Sequence, residues 1–169
     1  MKQWVLLSAA IICILQCQSS YDESQNGIVL QLKKQTELQP RLLKIEVCRD
    51  DIIRVTATPQ DDFSKRPGLM VDRTSWPDVD FTVEEQGDQV EVITDKLSVK
   101  VNKSTGSVSF YDRKGNTLLK EPESGGKLFS KAEVMGEHTW HARQIFDSPQ
   151  DEAFYGFGAH QNGVWNYKG

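Results

Sequence analysis

Residues 81–120, F-T-V-E-E-Q-G-D-Q-V-E-V-I-T-D-K-L-S-V-K-V-N-K-S-T-G-S-V-S-F-Y-D-R-K-G-N-T-L-L-K, decide the fold. Short apolar-alternating runs at Phe81–Glu85, Gln89–Thr94, Leu97–Asn102, Val108–Tyr111 and Thr117–Lys120 read as strands. Between them lie Gln86-Gly87-Asp88, Lys103-Ser104-Thr105-Gly106 and Arg113-Lys114-Gly115-Asn116. Each of these three turns holds a glycine, which accepts the positive φ that tight hairpins need. No window long enough for a helix carries a helical stripe. Turn signals at this regular spacing predict an all-β, antiparallel meander in a β-sandwich rather than a βαβ fold.

The same pattern extends toward the N-terminus. Ile28–Leu32 alternates, and Leu43–Val47 alternates strictly, with Leu43, Ile45 and Val47 on one face. Arg49-Asp50-Asp51 turns the chain into Ile52–Thr58, a second arm rich in β-branched residues, and Pro59 ends it. Gln60–Asp80 is irregular, and connections of that length are often functional. Trp76, between Ser75 and Pro77, is either a sugar-stacking platform or a cap on the end of the sandwich. Toward the C-terminus, Glu121–Gly126 reads as a loop, and Leu128–Val134 and Thr139–Phe146 as two further strands.

Composition narrows the function. The chain has 169 residues, 26% charged and 38% hydrophobic, which suits one globular domain with a real core. The net charge is −4 and the basic residues are scattered, so no nucleic-acid partner is expected. No apolar run reaches the roughly 18–20 residues of a membrane-spanning helix. His138 and His141 are three apart, so on a strand they face opposite sides and make a poor metal-ligand pair. Gly156-x-Gly158 lacks the third glycine of a dinucleotide fingerprint, with Gln161 in its place. No nucleophile elbow is present. Neither a metal nor an organic cofactor is expected.

The final stretch, residues 151–169, is D-E-A-F-Y-G-F-G-A-H-Q-N-G-V-W-N-Y-K-G. Its aromatic rings could stack on pyranose faces while its amides bond hydroxyls. On those grounds His160, Gln161, Trp165 and Trp76 are candidate substrate-rim residues. The plainer reading is a hydrophobic strand, Ala153–Phe157, running into a glycine-rich turn.

The order of residues from Glu152 onward closely resembles a segment of glycoside hydrolase family 31. There an F/Y-Y-G-L-G core leads to a lysine or arginine followed by glycine. H-Q-x-G-x-x-N-Y-K-G, starting at His160, resembles the α-xylosidase branch found in Bacteroidetes. The hairpin sequence from Val99 to Asn116 is also similar to one in the family's N-terminal, galactose mutarotase-like domain. Two positions depart from the pattern: Phe157 stands where leucine is usual, and Ala159 where Glu or Gln is usual. The resemblance implies an N-terminal β-sandwich of a retaining α-glycosidase acting on an oligosaccharide, an α-xyloside or α-glucoside. It also implies that more sandwich strands and a catalytic (β/α)8 barrel follow Tyr167-Lys168-Gly169. Residues 27–169 are therefore expected to form a domain incomplete at its C-terminus, with the barrel as its missing partner.

Residues 1–16 read as a signal peptide: Lys2 is a short basic start, and Trp4–Leu15 an apolar run of the right length. Ile14-Leu15-Gln16-Cys17 resembles the looser lipoboxes usual in Bacteroidetes, making Cys17 the expected lipid attachment and the lipid the expected membrane contact. Residues 17–26 are polar and read as a flexible tether, with Asp22 and Glu23 resembling acidic surface-targeting signals. The protein is thus expected to be exported, a periplasmic or cell-surface lipoprotein of a Gram-negative bacterium. With Cys13 and Cys17 in the targeting segment, Cys48 has no disulfide partner and reads as a small buried hydrophobe.

Retaining glycosidases need two carboxyl groups flanking the scissile bond. Asp61-Asp62 and Asp151-Glu152 are sequence neighbours that would point opposite ways on extended chain, so no catalytic residue is assigned and the chain alone is expected to be inactive. Three other readings stay open. One is a stand-alone carbohydrate-binding module using Trp76, Trp140 or Trp165. Another is a sugar mutarotase, which would need a positioned acid and base. The third is a structural surface lipoprotein.

Overall fold

The computed structural model describes residues 20–33, 36–66, 71, 73, 75–158 and 163–168. Among these residues there are eleven strands and no helix. β1 (Tyr21–Ser24), β2 (Gly27–Gln31), β3 (Leu42–Arg49) and β4 (Ile52–Thr58) form one sheet in that order. β5 (Thr82–Gln86), β6 (Gln89–Ile93), β7 (Leu97–Asn102), β8 (Val108–Asp112) and β9 (Thr117–Lys120) form a second. β10 (Lys127–Val134) and β11 (Glu137–Gln144) make a two-stranded ribbon. All pairings are antiparallel between sequence neighbours, so the expected meander and all-β sandwich are what the chain forms.

The alternation places the core. Ile28, Leu30, Leu32, Leu43, Ile45 and Val47 of the first sheet pack with Val90, Val92, Val99, Val101 and Val108 of the second. Cross-strand register lines these residues into rows. Tyr21, Leu30, Leu43 and Ala57 are successive partners across the first sheet. Val83, Val92, Val99 and Phe110 are successive partners across the second. Each fully buried Val, Leu or Ile is worth about 1.5–3 kcal/mol against exposure, so these facing rows hold the sheets together. The register slips between Val47 and Arg49, which tucks Cys48 inward as well, and burial there pushes its thiol pKa up. The turn glycines Gly87, Gly106 and Gly115 all have positive φ, as the sequence predicts.

Two expectations are corrected. The polar composition of residues 17–26 predicts a tether, but Tyr21–Ser24 is strand β1, hydrogen-bonded to β2. An edge strand with one solvent face needs few apolar residues, and Tyr21, packed against the core, supplies one. Ser20 then donates from its backbone N (3.3 Å) and its hydroxyl (2.8 Å) to the Glu85 carboxylate on β5, stitching the two sheets at their edges. The other correction is at Ala153–Phe157, which is irregular chain rather than strand, because its backbone bonds go to the segment around Asn166.

Candidate functional site

The ribbon and the C-terminal segment are held to the sandwich through Glu121, which follows β9. Its carboxylate is buried, at 2% exposure. Lys127 Nζ at the start of β10 donates to Oε1, and so does Gln144 Nε2 at the end of β11, at 2.9 Å. The Val108 backbone N–H donates to Oε2 at 3.1 Å. Burial lowers the Lys127 pKa, opposed by the Glu121 charge. Gly126 lets this hub close: a Cβ there would lie 2.5 Å from the Ile145 carbonyl and 2.7 Å from Glu121 Cγ. Two backbone bonds continue the clamp, Ile145 N to Gly126 O and Asp147 N to Lys120 O, each 2.8 Å.

Beyond this clamp the chain folds back on itself. The Asn166 side-chain oxygen accepts from the N–H groups of Phe154 (2.9 Å) and Lys168 (3.0 Å), and the Tyr167 N–H donates to Phe154 O at 2.9 Å. Lys168 Nζ donates to the Pro149 carbonyl. Phe157 and Tyr167 meet edge-on, with centroids 5.7 Å apart at 67°. Gly156, Gly158 and Gly163 all take positive φ within the loop. The outcome is a closed loop whose aromatic side faces solvent: Tyr155 and Phe157 are exposed, and Trp165 is 84% exposed.

The candidate rim residues are distributed unevenly. Trp165 stands on this loop with its ring free to stack. Trp76, between β4 and β5, is half-buried and lies beneath Arg73, whose guanidinium carbon is 5.4 Å from the ring centroid. No ring contact or hydrogen bond joins Trp76 to Trp165 among the described residues. His160 and Gln161 lie outside the described residues, as does Cys17. Trp140 on β11 is half-buried in a hollow of about 420 Å³ shared with Gln60, Ala132, His138 and Thr139. His138 pairs with Glu133 and His141 with Ser130, an odd spacing that puts the two rings on opposite faces of the ribbon. Asp61 and Asp62 are exposed, and so are Asp151 and Glu152. Glu121, the organising residue of this end, went unread in the sequence, because no spacing rule pairs a loop carboxylate with Lys127 and Gln144.

The architecture is that of a two-sheet antiparallel β-sandwich domain, extended by a ribbon and a clamped aromatic loop. Residues 42–167 match the glycosyl hydrolase 31 N-terminal galactose mutarotase-like domain, and the chain belongs to that family. It is similar to a GH31 α-xylosidase from Xanthomonas citri, with 36% identity, a TM-score of 0.73, and 85% of this chain against 15% of that one. It is also similar to an isomaltosyltransferase from Sporosarcina globispora, 26% identical over 85% of this chain and 12% of the relative. A GH31 dextranase from Flavobacterium johnsoniae, solved with isomaltotriose, shares the fold at 18% identity and TM-score 0.52, over 67% of this chain and 14% of that one. The chain thus spans about an eighth to a seventh of the length of these relatives.

Proposed function

We propose that the chain is the N-terminal, non-catalytic domain of an exported α-glycosidase that hydrolyses α-xylosides. The observation that carries this is the 36% identity to an α-xylosidase across 85% of the chain. The parent reaction would be retaining hydrolysis of an α-linked sugar by two carboxyl groups. The buried carboxylate of Glu121 is occupied by Lys127, Gln144 and Val108, so it is not available for acid–base work. The domain's contribution is then positional: the Glu121 clamp fixes where the loop bearing Trp165 stands, and Trp165 would offer its ring at the substrate approach. Export through residues 1–16 and lipidation at Cys17 would put the enzyme at the cell envelope. A single acyl chain holds only marginally, whereas a multiply acylated cysteine anchors stably.

A domain exchange tests the reading. Residues 20–168 replace the matching segment of the Xanthomonas citri α-xylosidase, and hydrolysis of an aryl α-xyloside is measured. A folded chimera should keep its preference for α-xyloside over α-glucoside; loss of that preference overturns the assignment. The chain by itself should give no turnover above a blank. Cys17→Ser should release it from the membrane fraction, and a wild-type protein already soluble would refute the anchor.

A second reading, a stand-alone carbohydrate-binding module, is favoured by the exposed Trp165 ring. It predicts saturable binding of xylogluco-oligosaccharides that Trp165→Ala abolishes.

A further inference from the structure

The outer face of the five-stranded sheet carries a second feature, remote in sequence from the aromatic loop. The inward residues Val90, Val92, Val99, Val101 and Val108 form the core, so the alternate positions of β6, β7 and β8 point outward. On that outer face Ser98, Ser107 and Ser109 are nonetheless buried. Longer side chains rise around these short ones and leave a trough. One half, about 290 Å³, is lined by Gln89, Asn102, Ser107, Ser109 and Lys120. The other half, about 270 Å³, is lined by Glu91, Ser98, Asp112 and Arg113. Lys100 and Tyr111 line both halves, so the two adjoin at that pair.

The lining is built for hydroxyl groups. Lys100 is fixed as a donor at the middle, its ammonium 5.4 Å from the Tyr111 ring centroid and 3.6 Å from Glu91 Oε2. Ser98 donates to the other Glu91 oxygen, which locks that carboxylate as an acceptor. Ser109 is 8% exposed, and its hydroxyl makes no hydrogen bond among the described groups. Nor is it sealed inside the protein, as the Ser24 hydroxyl and Glu46 Oε2 are. A buried hydroxyl left unpaired is costly, and this one opens onto the trough. Charges balance along the lining: Lys100, Lys120 and Arg113 stand against Glu91, Asp112 and Glu123. That balance disfavours an anion, and the scarcity of aliphatic lining disfavours an apolar peptide. From Ser107 to Tyr111 the trough runs about 13 Å along β8.

We infer that this trough is a binding site for a short neutral oligosaccharide, with Tyr111 as its apolar wall, Lys100 and Ser109 as donors and Glu91 as acceptor. It is separate from the aromatic loop and does not rest on the α-xylosidase assignment. The test uses the full chain, labelled for amide NMR and titrated separately with isomaltotriose and a xyloglucan heptasaccharide. At least one should shift amides within residues 89–111 in a saturable way. Tyr111→Ala and Ser109→Val should each weaken that binding at least tenfold, while Trp165→Ala leaves it unchanged. Far-field amide shifts and the unfolding midpoint show whether each variant is folded; if Ser109→Val is not, Lys100→Met takes its place. Absence of saturable shifts with both sugars overturns the inference. So does a response confined to residues near Trp165, or one that survives Tyr111→Ala in a folded protein. A trough that binds no sugar but is protected when the chain is joined to the rest of an α-xylosidase would identify it as a domain contact, and would equally overturn the inference.

Discussion

Glu121 and Val108 are joined twice: the Glu121 N–H donates to Val108 O at 3.0 Å, and the Val108 N–H donates to Glu121 Oε2 at 3.1 Å. The side chain thus continues the β8–β9 ladder where the backbone leaves it. Its other oxygen holds Lys127 and Gln144. Removing the carboxylate strands a buried ammonium and a buried N–H together. Glu121→Ala should cost about 3–5 kcal/mol, the range for breaking a buried pair. Glu121→Gln, which keeps an acceptor, should cost distinctly less. Urea unfolding midpoints at constant slope decide this, and equal costs for the two variants would rule out the charge as the organising element.

Gly126→Ala tests the same hub through space rather than charge. The added methyl would meet the Ile145 carbonyl at 2.5 Å, and backbone cannot swing aside as a side-chain end can. The ribbon and the segment after Asp147 should detach before the two sheets open. Hydrogen exchange should accelerate at the Ile145 and Asp147 amides, with little change at Val92 or Val99; unchanged exchange at Ile145 would contradict the packing.

Met135 and Gly136 form the tip of the β10–β11 ribbon, both at positive φ (53° and 82°). The left-handed region costs an ordinary L residue about 1–2 kcal/mol, and the Met135 side chain, 99% exposed, recovers nothing by packing. Met135→Asn, which suits a two-residue hairpin turn, should raise stability by about 1 kcal/mol, a Tm gain of about 2–4 °C. No gain in a calorimetric scan would mean that the tip unfolds independently of the domain.

Lys103 holds the Glu85 carboxyl below its ordinary value of 4.5, with Ser20 adding to the effect. A carboxyl depressed in the folded state stabilises fully above its ordinary pKa, and that contribution fades as pH falls through the depressed value. Acidification should therefore loosen β1 from the edge of β5 in that window. An NMR titration of the Glu85 side-chain carbon should give a midpoint below 4.5 that rises in Lys103→Met. A midpoint insensitive to Lys103 would refute the pairing.

The strands between Leu42 and Lys120 were legible because their hairpins announce themselves locally: apolar alternation along the arms, with Gly87, Gly106 and Gly115 at three of the turns, where positive φ is needed. The aromatic loop was legible as chemistry but not as shape. Its closure depends on one Asn166 oxygen taking two N–H groups, and composition gives no hint of which amide does so. β1 was hidden because Tyr-Asp-Glu-Ser looks like solvated linker until β2 lies beside it. The outer trough left a trace in the alternation Ser107-Val108-Ser109, but its depth comes from neighbours on β6, β7 and β9 that only register brings alongside.

The order of strands in the two meanders has a consequence for how the chain is made. β1–β4 can zip together from neighbouring segments alone, since every pairing is a short-range hairpin. Their apolar face, with Leu30, Leu43 and Ile45 at its centre, has nothing to cover it until β6–β8 exist. At 5–20 residues per second, the stretch from Thr58 to Asp112 takes about 3–11 s to synthesise. Until then the first half of the molecule would present that sticky face to its surroundings, so export through residues 1–16 would gain from keeping the chain unfolded until both sheets can close on each other.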